Sequence, residues 1–170
     1  MTNHIVLYQP EIPANTGNIA RTCAGTNTHL HLIKPLGFRT DDKMLKRAGL
    51  DYWEFVNITY HDSIEAFFEA TNGEYYLLTK FGKKTYSDFD FSNHDKDFYF
   101  IFGKETTGLP DWVKEKYQDT ALRIPMSEHI RSLNLSNTAV IIATSTRIYS
   151  FHYKMMLNAI LEYKHVKVKC

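Results

Sequence analysis

The chain has 170 residues, 44% of them hydrophobic and 23% charged, which is enough apolar content for one buried core and too little length to require a second. Lys and Arg number 20 against 19 acidic residues, so the formal charge is only +1; bulk attraction to a polyanion is excluded, and any such partner must be held by local clusters. Two widely separated cysteines, Cys23 and Cys170, with no signal peptide and no long apolar span, set the expectation of a cytoplasmic protein in a reducing compartment, without a membrane partner.

Ile5-Val6-Leu7-Tyr8 is a short apolar run stopped by Pro10 and Pro13, which predicts a buried first strand and a loop that cannot continue it. Asn15 is a good helix N-cap, and residues 16–27 read as a helix carrying Ile19, Cys23 and Ala24 inward, with Cys23 as a small core residue. His29 to Lys34 alternates with period two up to Pro35, the mark of a strand. Asp41 to Gly49 has Met44, Leu45 and Ala48 at helical spacing; Phe55 to Tyr60 reads as extended. Asp62-Ser63-Ile64-Glu65 resembles a capping box that opens a helix through Ala70.

Tyr75 to Thr79 and Asp97 to Phe102 are apolar strands bounded by Gly or polar clusters. Pro110 fits the first turn of a helix running to about Tyr117, and Ala121 to Ile124 is a short strand stopped by Pro125. From Ser136 to about Ser150 the β-branched composition leaves strand and helix open, and the length of the run decides for helix. Residues 151–163 can form a last helix. With no repeat, linker or low-complexity tract, residues 1–160 read as one domain and 161–170 as a basic tail. The alternation of strand and helix predicts an α/β domain: a mostly parallel sheet flanked by helices, with ligands at the carboxyl ends of the strands.

Three blocks sit at such ends: Asn15-Thr16-Gly17-Asn18-Ile19-Ala20-Arg21, then Phe102-Gly103-Lys104-Glu105-Thr106-Thr107-Gly108-Leu109-Pro110, then Ile124-Pro125-Met126 leading into Arg131-Ser132-Leu133-Asn134-Leu135-Ser136-Asn137. Each puts Gly, Asn or Ser beside a fixed charge after an apolar run, as a tight backbone pocket requires. Gly103 and Gly108 allow the main chain to bend sharply and approach a ligand closely. The middle string is not a phosphate-binding P-loop, since no Gly-Lys-Ser/Thr ending follows, and it lacks dinucleotide-fingerprint spacing. Taken alone, Glu105 reads equally as a solvated loop charge, Ser132 or Ser136 as an N-cap, and Arg21 as a surface helix charge. Arg21 cannot be an easily titrated group, because a guanidinium keeps its proton at working pH. His4, His29 and His31 lack cysteine or carboxylate partners at ligand spacing, so no metal is expected.

Together the three blocks resemble the SPOUT class of S-adenosylmethionine-dependent RNA methyltransferases, most closely the small TrmL/YibK-like ribose 2′-O-methyltransferases of the tRNA wobble position, over about Ile5 to Tyr149. The resemblance implies a SPOUT fold with a deep carboxyl-terminal trefoil knot and a homodimer whose partner subunit completes the pocket. It further implies methyl transfer from S-adenosyl-L-methionine to the ribose of nucleotide 34 in a tRNA anticodon loop. By the same match the cofactor contacts are Leu78, Thr79, Gly103, Gly108, Ile124, Met126, Ser132 and Leu133. The catalytic set is Asn15, Arg21, Glu105, Ser132 and Asn134. Arg21 is expected to clamp a phosphate, since proton acceptance by a guanidinium is costly.

Single-stranded RNA calls for cations and stacking aromatics; the candidates are Arg21, Lys43, Lys46, Arg47, Lys83, Lys84 and Arg131, with Tyr52 and Trp53. Three rival readings remain: a related enzyme acting on another tRNA position or on ribosomal RNA, a catalytically silent RNA-binding module of the same fold, and an α/β dehydrogenase, which would need the missing glycine fingerprint.

Overall fold

A computed structural model describes residues 2–39, 50–91, 95–147 and 155. Within them, seven strands form one sheet: β1 (Asn3–Tyr8), β2 (His29–Ile33), β3 (Ile58–His61), β4 (Glu74–Leu78), β5 (Lys84–Thr85), β6 (Phe98–Phe102) and β7 (Ala121–Arg123). Their order is β3-β2-β1-β6-β4-β7-β5, and every pairing is parallel. The helices are α1 (Pro13–Thr26), α2 (Ile64–Ala70), α3 (Asp111–Lys116) and α4 (135–147).

A parallel sheet must be covered on both faces, and the alternation along each strand assigns the cover. Phe98, Phe100 and Phe102 of the central strand β6, with Ile5, Leu7, Leu30 and Leu32, pack against Ile19, Ala20 and Cys23 of α1 and Ala139, Ile142 and Ala143 of α4. Tyr99 and Ile101, on the opposite face, join Val6, Ile33 and Leu77 against Ile64 and Phe67 of α2 and Val113 of α3. All five side chains of β6 are buried. Cys23 is a core residue as predicted, and burial pushes its thiol up to about 12.

The boundaries correct several expectations. Helix α1 starts at Pro13, with Ile12 at the N-cap position and no side-chain cap, so Asn15 lies inside the first turn and is buried. Proline at the start of a helix has its φ already set and has no amide to leave unsatisfied, so the start falls before Asn15. The segment around residue 55 is not extended from the outset: Leu50–Phe55 is a 3₁₀ turn that packs Trp53 and Val56 on the core, and pairing begins only at Ile58. Pro110 is the N-cap of α3, one position before the expected one. Strand β5 went unpredicted, because two residues carry no period. Ser63 caps α2, accepting a hydrogen bond from the Ala66 amide at 3.1 Å. The helix expected at Asp41–Gly49 lies outside the described residues, as do the last helix, save helical Met155, and the tail.

The second face holds an unusual polar layer. His4 Nδ1 and His31 Nε2 share a hydrogen bond of 2.9 Å, and His31 Nδ1 and His61 Nε2 share another of 2.9 Å, crossing β1, β2 and β3 diagonally. His29 stacks on His31 at 4.5 Å and Tyr99 on His4 at 4.2 Å between centroids. Burial dominates their titration, holding His4 down to about 4 and His31 to about 2, while Asp97 near His4 only partly offsets the effect. His29 and His61 are lowered for the same reason. A ring kept neutral when folded but protonated when unfolded costs stability as pH falls below its unfolded value. Urea unfolding should therefore show a loss on the order of 2–4 kcal/mol between about pH 7.5 and pH 5. Unchanged stability over that interval would show that these rings take up protons within the fold.

Candidate functional site

The carboxyl ends of β1, β4, β6 and β7 point the same way, and their loops surround a cleft of about 560 Å³ closed by the start of α4. Its lining includes Leu78 and Thr79 after β4, Gly103, Glu105 and Gly108 after β6, and Ile124 and Met126 after β7. Ser132, Leu133 and Asn134 line it before α4, and Asn15 reaches it from α1. Eleven of the twelve residues expected in the site thus share one cavity. Arg21 is the exception: it is exposed on α1 and does not line the cleft, because six residues of helix turn it away from Asn15.

Pro13 and the absence of a side-chain cap leave the amides before α1 in need of an acceptor. Glu105 supplies it from the far loop. Its Oε2 accepts from the Glu11 amide at 2.9 Å, and its Oε1 accepts from the Ile12 amide at 3.3 Å and from Asn15 Nδ2 at 3.1 Å. Glu11 returns the contact, its carboxylate accepting from the Thr106 amide at 3.1 Å and from the Thr106 hydroxyl at 2.8 Å. The two acidic residues therefore clasp two loops, with a negative charge at the positive end of α1.

The chain of bonds continues. Asn15 Oδ1 accepts from Asn134 Nδ2 at 3.0 Å, and Asn134 Oδ1 accepts from the Ser136 amide at 2.8 Å and the Ser136 hydroxyl at 2.7 Å. Asn134, rather than Ser132 or Ser136, is thus the N-cap of α4, and its own carbonyl accepts the Thr138 amide at 3.0 Å. A carboxylate only accepts, so it fixes the Asn15 amide group, which in turn fixes that of Asn134. One relay joins all three motif blocks.

The glycines shape the floor. A Cβ on Gly103 would come within 2.6 Å of Gly108 Cα, so the two glycines close back to back. The turn between them is held by reciprocal Lys104 and Gly108 main-chain bonds of 3.2 and 3.0 Å, with Gly108 at φ +74°. At the other wall the Thr79 amide donates to the Leu122 carbonyl at 3.0 Å. Apolar walls and a few convergent polar groups fit a small organic ligand.

Outside the cleft, Lys83, Lys84 and Arg131 are exposed, while Lys43, Lys46, Arg47 and the Tyr52 side chain lie outside the described residues. Trp53 is partly buried on the core, which removes it as a free stacking surface. Glu11, Thr106 and Phe81 escaped the sequence reading; the only local signal was Glu11 in Pro10-Glu11-Ile12-Pro13, directly before a helix with orphaned amides. The imidazoles of His4, His29 and His31 bring three nitrogens within 4.8 Å of one another, on the opposite sheet face, with Asp97 Oδ2 at 3.9 Å from His4. Sequence spacing did not foretell this approach; His29 stacks on His31 and His4, and its Nε2 shares a hydrogen bond of 2.8 Å with the Thr59 hydroxyl. No helix among the described residues is long and apolar enough to cross a membrane.

Comparison with known proteins agrees with this geometry. A Listeria monocytogenes protein (serotype 4b, strain F2365), provisionally named a tRNA (cytidine(34)-2′-O)-methyltransferase, is 68% identical over 144 residues, covering 84% of this chain and 85% of that protein. The tRNA (cytidine(34)-2′-O)-methyltransferase of Methylovorus glucosotrophus (strain SIP3-4) is 49% identical over 140 residues, 81% of this chain and 89% of that protein. A solved structure described as giving structural insights into the 2-OH methylation of C/U34 on tRNA superposes with a TM-score of 0.80 at 40% identity, over 89% of this chain and 97% of that one. Residues 2–144 match the SpoU rRNA Methylase family, and the chain belongs to that family.

Proposed function

We propose that this chain is a tRNA methyltransferase that transfers a methyl group from S-adenosyl-L-methionine to the ribose 2′-oxygen of nucleotide 34 in the anticodon loop. The observation that carries the reading is the relay from Glu105 through Asn15 to Asn134, which ties three loops into one cleft at the strand ends. The activity named for relatives as similar as 68% and 49% identical supports the substrate.

In this reading Leu78, Thr79, Gly103, Gly108, Ile124, Met126, Ser132 and Leu133 hold the cofactor, with the tight Gly103 and Gly108 closure leaving main-chain groups open to it. S-adenosylmethionine, when bound, supplies a methyl group on a positively charged sulfur. What the chain's own residues contribute is chiefly alignment of the two reactants. Glu105 acts as a positioning residue: its carboxylate is already committed to three donors, and it orients Asn15 and, through it, Asn134. Asn134 and Ser132, both lining the cleft, are assigned in this reading to the ribose side of it. Arg21 clamps a phosphate and stabilises the 2′-oxygen as its proton passes to solvent water. Because Arg21 stands outside the cleft of its own chain, a homodimer gives it a route to the cleft of the second copy. The trefoil knot, the 161–170 tail as a basic extension and a cytoplasmic location belong to the same proposal.

Incubation with labelled cofactor and either total tRNA or ribosomal RNA, followed by mapping of the methylated nucleotide, tests the reading; label at another tRNA position or in ribosomal RNA would replace it, and RNA binding without transfer would mark a silent module. Arg21→Lys should lose most activity while cofactor binding survives, because a lysine cannot reproduce the bidentate fork; near wild-type turnover would defeat the clamp. Asn134→Ala should cost about 1 kcal/mol of stability as a lost helix cap. It should also lower the rate of transfer at least about ten-fold by releasing the Asn15 amide, seen as a kcat loss in steady-state assays.

A further inference from the structure

Phe81 is 79% exposed and lines the cleft, with Lys80 beside it. The turn that carries it is rigid. The Phe81 amide donates to Thr79 Oγ1 at 3.2 Å, the Gly82 amide to the Thr79 carbonyl at 3.3 Å, and Gly82 itself lies so close to β7 that a Cβ there would come within 2.7 Å of the Leu122 carbonyl carbon. The main-chain bonds fix the backbone from which the ring projects, so little main-chain freedom is left to lose on binding. Lys80 Nζ lies 5.0 Å from the ring centroid, and two more exposed lysines, Lys83 and Lys84, follow within three positions in the chain, the Lys84 ammonium over the Phe89 ring.

The charge separates two possible occupants. S-adenosylmethionine is a net cation, with one carboxylate against a sulfonium and an amino group, and so gains less from Lys80 at the rim than an RNA strand, which brings a phosphate at every nucleotide. An exposed aromatic ring set among lysines is the arrangement that holds an unpaired base by stacking and its phosphates by charge. Resting on the activity proposed above, we infer that Phe81 is a stacking platform for an unpaired base of the RNA substrate, next to the nucleotide whose ribose enters the cleft, and that Lys80 holds the adjoining phosphate.

The test measures binding of a fluorescein-labelled anticodon stem-loop by anisotropy, methyl transfer to the same RNA, and calorimetric affinity for S-adenosylmethionine, on the intact protein. Phe81→Ala should weaken RNA binding roughly ten-fold and leave cofactor affinity within about two-fold, with Phe81→Trp restoring binding. Phe81→Leu, which keeps the apolar area but has no π-face, should behave like Phe81→Ala. Wild-type affinity in Phe81→Leu would overturn stacking in favour of plain apolar contact. A weakened cofactor affinity in Phe81→Ala would place the ring over the donor instead, and a changed mass by light scattering would place it in a subunit contact; either result overturns the inference. Binding without methylation by the wild-type chain would reject the proposed activity while leaving the ring's role measurable, and absence of RNA binding would reject both.

Discussion

A carboxylate from the loop after β6 satisfies main-chain amides at the start of α1, more than ninety positions earlier in the chain, and the cleft takes its form from that contact. The amides need it because the helix begins at proline without a side-chain cap, and the partial positive charge at a helix start favours an anionic acceptor. Both oxygens of Glu105 are used, and Glu11 answers with its own carboxylate on Thr106, so neither loop can shift without leaving charge-assisted bonds unmade. The third side of the cavity is then set by two asparagines whose amide orientations are dictated in turn, the last of them capping α4.

The sheet explains why these loops meet at all. The strand order runs outward from β1 through β2 to β3, then returns to place β6 beside β1 on the other side. At such a reversal the loops leaving neighbouring strands diverge, opening the crevice in which parallel α/β proteins hold their ligands. Here the crevice is bridged by the Glu11 and Glu105 clasp and bounded further along the sheet by Thr79, bonded to Leu122. The opposite face shows a different solution to burying polar groups: imidazoles that bond to one another and stay neutral because the interior disfavours their charge. The two features lie on the same domain but do not share residues, and only the first gathers the motif blocks.

Hydrophobic period and punctuation determined the layout: Ile5 to Tyr8, His29 to Lys34, Tyr75 to Thr79 and Asp97 to Phe102 are strands within one or two residues of the expected limits, since short apolar or alternating runs between turn residues are what a buried sheet requires. Length likewise sufficed to choose helix over strand after Asn134. The family resemblance that the motif blocks carry named eleven of the residues that line the cleft, nine of them within the blocks and Leu78 and Thr79 outside them. Tertiary structure alone decided the rest. That Asn15 would face Glu105 rather than cap its own helix depended on a loop distant in sequence, and local propensity contains no information about such a partner. Trp53 turned onto the core and Phe81 outward for the same reason: an aromatic side chain reads alike in sequence whether its neighbours bury it or a rigid turn such as Thr79 to Gly82 holds it in solvent.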